Sequence, residues 1–482
     1  MRIALVSAEL VPFAKTGGLG DAVAGLARQL ARRGQDVRTF LPLYRSIDRS
    51  GLELHEVEFA RDVPIRSGRH ELRFTLRTAA LPPDGPTIYF IDCPGLYDRR
   101  SIYTGGLDDA GRFAFLARAA IESCQRMGFS PDVFHVNDWH AALLPLYLRT
   151  HYDWDRLFQR SKTLLTIHNI GYQGVFGAEV LGDLDLAEHR SWLPREDLSR
   201  GSFGFLRAGI AQADAISTVS PRHAQEIQTA EYGCGLEGIL RARAGVLFGI
   251  LNGVDDDWDP ASDSLIPLRY DGGSLDGKRE NKRLLLQELG FVRGADRPLL
   301  GIVSRLIKQK GFDLCFDVLP RLLASRDVQL AVVGSGEARY ESFFAELQER
   351  FAGRVVFYRG YSNQLAHRVE AAADIFLMPS LYEPCGLNQM YSLRYGTVPI
   401  VRSTGGLADS VRPYDWRTGQ GTGFVFEHFT PEGLAWAIDS ALTTYDDPVA
   451  WTNLVRRGMA EDFSWNRQVD RYLELYDWMT RR

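Results

Sequence analysis

Short runs of β-branched and aromatic apolar residues recur along the chain, separated by stretches whose apolar positions repeat every three to four residues. The first run, residues 2–7 (RIALVS), reads as a buried strand. Residues 21–33 follow with helical spacing and are stopped by Gly34, and 37–43 return as the next strand. Further strands are expected at 133–136, 163–167 and 215–219. A second series runs through 299–304, 328–333, 355–358, 375–379 and 398–401, with helical segments between. Strand and helix in alternation predict parallel sheets built from βαβ units. The Gly- and Asp-rich stretch 255–277 has little periodicity and is expected near a domain boundary, with the hinge within 245–256. Residues 465–478 have the spacing of an amphipathic helix. No tandem repeat or low-complexity tail is present.

At 482 residues the chain exceeds one ordinary core, so two α/β domains are the natural division. A net charge of −5 argues against a nucleic-acid binder, whose affinity comes largely from basic surface meeting phosphate. Cys93, Cys124, Cys234, Cys315 and Cys385 lie far apart, which fits a reducing compartment rather than a disulfide framework. The N-terminus has no basic-then-apolar signal pattern, and no apolar stretch approaches the roughly 18 residues a membrane helix needs. The expectation is a soluble, cytoplasmic protein without a membrane partner.

Doubly wound sheets bind ligands at the carboxyl ends of their strands, and the chemistry-bearing motifs fall just after the expected strands. Lys15-Thr16-Gly17-Gly18-Leu19-Gly20-Asp21 follows the first strand and opens a helix. Glycines there let the backbone approach a ligand, and exposed N–H groups with the helix dipole attract anions. The spacing matches neither a dinucleotide fingerprint nor a P-loop. Arg305-Leu306-Ile307-Lys308-Gln309-Lys310-Gly311 follows the first strand of the second series. An isolated basic cluster is ordinarily a solvated loop, but at a strand end two cations suit a departing diphosphate. Glu383-Pro384-Cys385-Gly386-Leu387-Asn388-Gln389 places a carboxylate at a strand end, suited to sugar hydroxyls, and Thr404-Gly405-Gly406-Leu407 repeats the Gly-rich theme. Asn137-Asp138-Trp139-His140 and His168-Asn169 end two strands of the first half, and Asn252 lies near the hinge. No paired metal-ligand spacing occurs, so a metal is not indicated.

Together these segments resemble the bacterial glycogen and plant starch synthases. KTGGLGD, NDWH, the IHN strand end, SRLIKQKG, EPCGLNQ and RSTGGLADSV appear in family order across nearly the whole chain. The resemblance implies the α/β GT-B fold, two Rossmann-like doubly wound domains facing across a deep cleft. Residues 1–245 would form the acceptor-side domain and 246–460 the donor domain, with 461–482 packing back on the first. It implies ADP-glucose as donor, glycogen or another α-1,4-glucan as acceptor, and no cofactor.

Carried over by motif, Lys15 and Gly18 would contact the donor diphosphate, and Arg305 and Lys310 would neutralise it as it leaves. Glu383, with the backbone of Cys385, Gly386 and Leu387, would hold glucose and phosphates. His168 would lie beside the anomeric carbon, Asp138 and Asn252 would line the sugar site, and Tyr361 would stack on the adenine. Asp21, Asn169, Thr404 and Gly405 complete the expected substrate-binding set. Two positions depart from the wider pattern. Asn388 stands where many relatives have Thr, and Tyr391 stands where broader retaining transferases carry a second Glu, eight positions after Glu383.

Retention ordinarily uses a nucleophilic carboxylate and a second acid, and no convincing carboxylate pair falls within one motif. A front-face displacement is therefore expected, in which an oxygen of the departing diphosphate accepts the acceptor hydroxyl's proton. Three alternatives stand beside this reading: a transferase using UDP-glucose or another sugar, a glucan phosphorylase needing a pyridoxal phosphate lysine, and a non-catalytic glycan-binding scaffold. The scaffold would tolerate loss of Lys15, Arg305, Lys310 or Glu383, yet all are present.

Overall fold

A computed structural model describes residues 1–68 and 70–482. The chain separates into two compact units. One comprises Met1–Val219, Ala224–Gly253 and Trp465–Arg482; the other comprises Ser220–His223 and Val254–Ser464.

The strands of the first unit are β1 (Arg2–Val6), β2 (Asp36–Pro42), β3 (His55–Glu56), β4 (Val63–Ser67), β5 (His70–Ala80), β6 (Thr87–Asp92), β7 (Val133–Asn137), β8 (Lys162–Ile167), β9 (Val175–Gly177), β10 (Ser202–Gly204), β11 (Ala215–Thr218) and β12 (Leu247–Gly249). The main sheet has the order β12-β11-β8-β7-β1-β2-β6-β5-β3, with β4 added on β5. From β12 to β6 every pairing is parallel, and Ile3 of β1 registers with Val37 on one side and Val133 on the other. The strand order reverses at β1: the chain first builds outward through β2 and β6, then returns to lay β7 on the other side. These central strands are buried on both faces, which is why they read as continuous apolar runs.

The parallel pattern stops at β6. β5 pairs antiparallel with β6, β4 and β3. Its sequence alternates instead of running apolar, with Phe74 and Leu76 buried between Arg73, Thr75 and Arg77, as suits a strand with one wet face. The βαβ reading of the sequence misses this edge because alternation of period two carries no helix-crossover signal.

The helix Trp465–Thr480 belongs to the first unit although it follows the second in the chain. Trp465 is 2% exposed. Its ring lies so close to Gly25 that a β-carbon there would fall 2.0 Å from the indole nitrogen, and one at Gly253 would fall 2.5 Å from the ring. Further along, the Tyr476 hydroxyl lies 2.8 Å from His135 Nδ1, whose Nε2 lies 2.6 Å from Thr166 Oγ1. This hydrogen-bonded chain fixes the C-terminal helix beneath β7 and β8.

The second unit contains β13 (Leu299–Leu306), β14 (Gln329–Gly336), β15 (Val355–Arg359), β16 (Ile375–Met378), β17 (Val398–Arg402) and β18 (Phe424–Phe426). Its sheet is parallel throughout, in the order β15-β14-β13-β16-β17-β18. Here the reversal falls between β13 and β16. β13 stays registered with β14 from Leu299 to Leu306, but on its other side only Leu300 and Gly301 meet β16. Beyond that point β13 and β16 are no longer paired, and the loops that follow them carry the Arg305–Gly311 and Glu383–Gln389 segments. The polypeptide enters and leaves this unit side by side: Val254 N–H donates to Phe463 O at 2.8 Å, and Val254 bridges Ser464.

Replacing Trp465 with Ala empties the space between the helix and Gly25 and Gly253. By the usual cost of large-to-small changes at fully buried sites, the N-terminal unit loses about 3–5 kcal/mol, read from urea unfolding. An unchanged midpoint would show that this helix is not part of that unit's cooperative core.

Candidate active site

In the first unit the reversal between β1 and β7 gathers two loops. The loop after β1 is wrapped around the carboxylate of Glu9, which is 3% exposed. Glu9 accepts hydrogen bonds from Thr16 N–H (2.7 Å), Thr16 Oγ1 (2.6 Å), Gly17 N–H (3.2 Å) and the Tyr103 hydroxyl (2.6 Å). That anchorage shapes the segment carrying Lys15, and Gly18 forms the N-cap of the helix Leu19–Arg32. Lys15 Nζ pairs with Asp21 at 2.8 Å, and burial pushes the Asp21 carboxyl up despite its partner. Neither Glu9 nor Tyr103 belongs to the motifs read from the sequence. The one signal for Glu9 is a carboxylate three residues beyond Val6, the end of a buried parallel strand.

The end of β7 is tied to the end of β1, because Asn137 Nδ2 donates to Val6 O at 3.2 Å. Asn137 Oδ1 is then an acceptor and lies 2.9 Å from His168 Nε2. His168 therefore carries its proton on Nε2 and leaves Nδ1 as an acceptor. The next residue, Asp138, has a left-handed backbone (φ 55°). Its Oδ1 accepts from His168 N–H at 2.7 Å and Asn169 N–H at 3.4 Å. Burial pushes the Asp138 carboxyl up to about 7, against the pull of those two N–H groups. The same burial pushes His168 down to about 3, so its imidazole is neutral. His140 stacks on Tyr103 with centroids 4.6 Å apart, and burial holds it well below the usual histidine range. Lys15, Asp21, Asp138, His168 and Asn169 are thus assembled at one switch point. Asn252 follows β12 in a buried position, where its amide oxygen has no hydrogen-bond partner among the described residues.

In the second unit the loops after β13 and β16 are zipped together. Leu381 N–H donates to Gln309 O at 2.9 Å, and across this seam Lys310 Nζ meets Glu383 Oε2 at 2.5 Å. Glu383 is 6% exposed, and Ser380 Oγ donates to the same oxygen at 3.2 Å. Arg305 stands at the end of β13, exposed, and its guanidinium makes no hydrogen bond or ion pair among the described residues. The result is one cation locked to a buried carboxylate beside a second that is free to meet an anion.

Backbone packing fixes the third wall. Gly405 has φ 44°, and a β-carbon there would lie 2.0 Å from Glu383 O; one at Gly406 would lie 2.0 Å from Cys385 O. Gly406 N–H donates to Glu383 O and Pro384 O, each at 3.1 Å. Thr404, fully buried, stands at the N-cap position of the helix Gly405–Ser410. Gln389 Nε2 bonds Cys385 O (3.1 Å), Gly386 O (3.0 Å) and Ser410 Oγ (3.0 Å), which holds the loop through Leu387 against the following helix. Asn388 Nδ2 donates to Val303 O at 2.8 Å, tying the helix Asn388–Arg394 to the strand that carries Arg305. Tyr361, after β15, is 66% exposed, its hydroxyl donating to Asn363 Oδ1 at 2.9 Å; no hydrogen bond among the described residues joins it to the Lys310–Glu383 pair. Tyr391 is buried and stacked on Trp258, a residue that the sequence motifs leave out.

Chemically, the second unit offers paired and free cations with a hydrogen-bonded carboxylate, as anion neutralisation requires. The first offers neutral imidazole, amide and carboxyl groups, as hydroxyl recognition requires. Among the described residues no three His, Cys, Asp or Glu side chains group as a metal site would need.

Residues 2–242 match the family model described as the starch synthase catalytic domain, and 291–457 match glycosyl transferases group 1. The chain is 43% identical to the glycogen synthase of Koribacter versatilis over 99% of its own length and 98% of that protein. It is 45% identical to that of Anaeromyxobacter dehalogenans (strain 2CP-C), covering 99% of each. Among solved structures, the catalytic domain of starch synthase IV from Arabidopsis thaliana, bound to ADP and acarbose, superposes with a TM-score of 0.92 at 34% identity, covering 100% of this chain and 99% of that one. Sucrose-phosphate synthase from Thermosynechococcus elongatus, 19% identical with a TM-score of 0.60 over 99% and 98% of the two chains, shares the fold. The two parallel α/β units are those of the GT-B glycosyltransferases, and the chain belongs to the glycogen and starch synthase family of glucosyltransferases.

Proposed function

We propose that this enzyme transfers glucose from ADP-glucose to the non-reducing end of glycogen or a similar α-1,4-glucan in the cytoplasm, with retention of configuration. The observation that carries the reading is the Lys310–Glu383 pair at the β13/β16 switch point with unpaired Arg305 beside it. ADP and acarbose in the Arabidopsis relative support the donor and acceptor classes. Arg305 and Lys310 neutralise the diphosphate, Glu383 holds both Lys310 and the glucosyl hydroxyls, and Tyr361 offers its exposed ring to the adenine. From the first unit, Lys15 and the Gly18 backbone serve the phosphates, and Asp138, His168, Asn169 and Asn252 serve the sugar.

The bond from the anomeric carbon to the diphosphate breaks while the acceptor hydroxyl attacks from the same face. Its proton passes to a diphosphate oxygen, so no protein base is required. The neutral imidazole of His168 is suited to orientation and not to proton donation.

Purified protein with glycogen should release ADP from ADP-glucose far faster than UDP from UDP-glucose. Faster release from UDP-glucose would overturn the donor; a glucosyl adduct trapped on Glu383 or Asp138 would overturn the front-face step. Arg305→Ala should lower kcat by about 10²–10³, the cost of removing one transition-state donor. Because Arg305 has no side-chain partner among the described residues, thermal stability should stay within about 0.5 kcal/mol. Lys310→Ala should lose comparable activity and also about 3–5 kcal/mol of stability, since it strands the buried Glu383 charge.

Asp138 supplies a pH test. Its ionised form is the better acceptor for a sugar hydroxyl, and its carboxyl titrates at about 7. The value of kcat/KM should therefore rise with pH through about 7, and Asp138→Asn should erase that limb. A limb surviving in the variant would assign it to another group. For stability the sign is opposite. A carboxyl raised from 3.8 binds its proton in the folded chain and not in the unfolded one, so its contribution declines as pH rises from 3.8 toward 7.

A further inference from the structure

The helix Asn388–Arg394 has only seven residues, too few to hold itself by its own hydrogen bonds. Its place is set by side chains from elsewhere, and a single stretch just after the chain enters the second unit supplies several of them. Trp258 lies flat on Tyr391, with ring centroids 3.9 Å apart and an interplanar angle of 0°. The other face of Trp258 stacks on His367 at 3.7 Å and 17°. One residue on, Asp259 Oδ2 accepts from Arg394 Nη2 at 2.7 Å. Further on, buried Asp263 Oδ2 accepts from the Tyr395 hydroxyl at 2.6 Å and lies 2.9 Å from His367 Nδ1. Residues 258–263 thus run as a strap along the helix.

What the strap holds is chemically important. Asn388 at the start of the helix bonds Val303 O on the strand that carries Arg305. Gln389 grips the carbonyls of Cys385 and Gly386, which follow Glu383. Tyr391 lies one turn from Asn388, so a shift of its ring is transmitted along the helix to both contacts. At this position the aromatic ring is committed to packing and cannot act as a ligand-facing carboxylate would.

We infer that Trp258 is a positioning residue for donor binding: sandwiched between His367 and Tyr391, it fixes the helix Asn388–Arg394 and through it the Glu383–Leu387 loop that grips the donor diphosphate. The inference rests on the proposed function for the identity of the donor. The test compares full-length Trp258→Ala and Trp258→Phe with the parent in three measurements: ADP affinity by titration calorimetry, KM for ADP-glucose and for glycogen, and amide hydrogen exchange across 386–394. Trp258→Ala should weaken ADP binding and raise the ADP-glucose KM about five- to tenfold, roughly the loss of one aromatic stack. The glycogen KM should stay within about twofold, and exchange should quicken across 386–394. Trp258→Phe, which keeps a ring in the stack, should recover most of the loss.

A purely structural role would lower kcat through the active fraction and leave donor KM and ADP affinity unchanged, and that result would overturn the inference. If the parent releases no ADP from ADP-glucose, the functional reading fails on its own. Exchange across 386–394 then decides the strap, and unchanged protection in Trp258→Ala would sink it. Should Trp258→Ala fail to fold, Tyr391→Leu removes the same stack from the other side and is read identically.

Discussion

Both units depend on one constraint, the reversal of strand order at the centre of a parallel sheet. Where β1 meets β7, and again where β13 meets β16, consecutive loops leave the sheet in opposite directions and cannot cover the strand ends. Lys15, Asp138 and His168 sit at the first of these gaps, and Arg305, Lys310 and Glu383 at the second. Lys310 and Glu383 come from loops more than seventy residues apart in the chain, yet they form an ion pair of 2.5 Å because β13 and β16 are neighbours in the sheet. The Asn137–Val6 and Asn137–His168 bonds do for the first sheet what the Lys310–Glu383 seam does for the second.

The two gaps differ in electrostatic character. At the first, burial keeps His135, His140 and His168 uncharged, and Lys15 is balanced by Asp21. At the second, positive charge is concentrated on Arg305 and Lys310, with one buried carboxylate to hold Lys310 in place. A neutral polar surface recognises hydroxyls without attracting stray anions, whereas a diphosphate needs formal charge. The electrostatic difference between the two gaps is thus set by burial as much as by residue type.

Much of this was legible in the sequence because parallel strands buried on both faces announce themselves as apolar runs, and the motifs follow them directly. β1, β7, β13 and β16 were readable in that way, and so were Lys15, Asp138, Arg305, Lys310 and Glu383 as residues at strand ends. Glu9, Tyr103 and Trp258 were not. Each acts through partners far off in the chain: Tyr103 reaches Glu9 across 94 positions, and Trp258 stacks on residues more than a hundred positions away. No local periodicity encodes such contacts. The antiparallel edge at β3, β4 and β5 escaped for another reason, since its alternation signals a half-exposed strand and says nothing of which sheet it joins.

The membership of Trp465–Thr480 in the first unit has a consequence for synthesis. Trp465 fills the space against Gly25 and Gly253, and Tyr476 completes the hydrogen bonds of His135. A ribosome delivers these residues only after the whole of 254–464 has emerged. The first unit to be translated is therefore the last to be finished. Until then the face that Trp465 and Tyr476 cover has no helix packed on it, so the first unit closes its core after the second has been made.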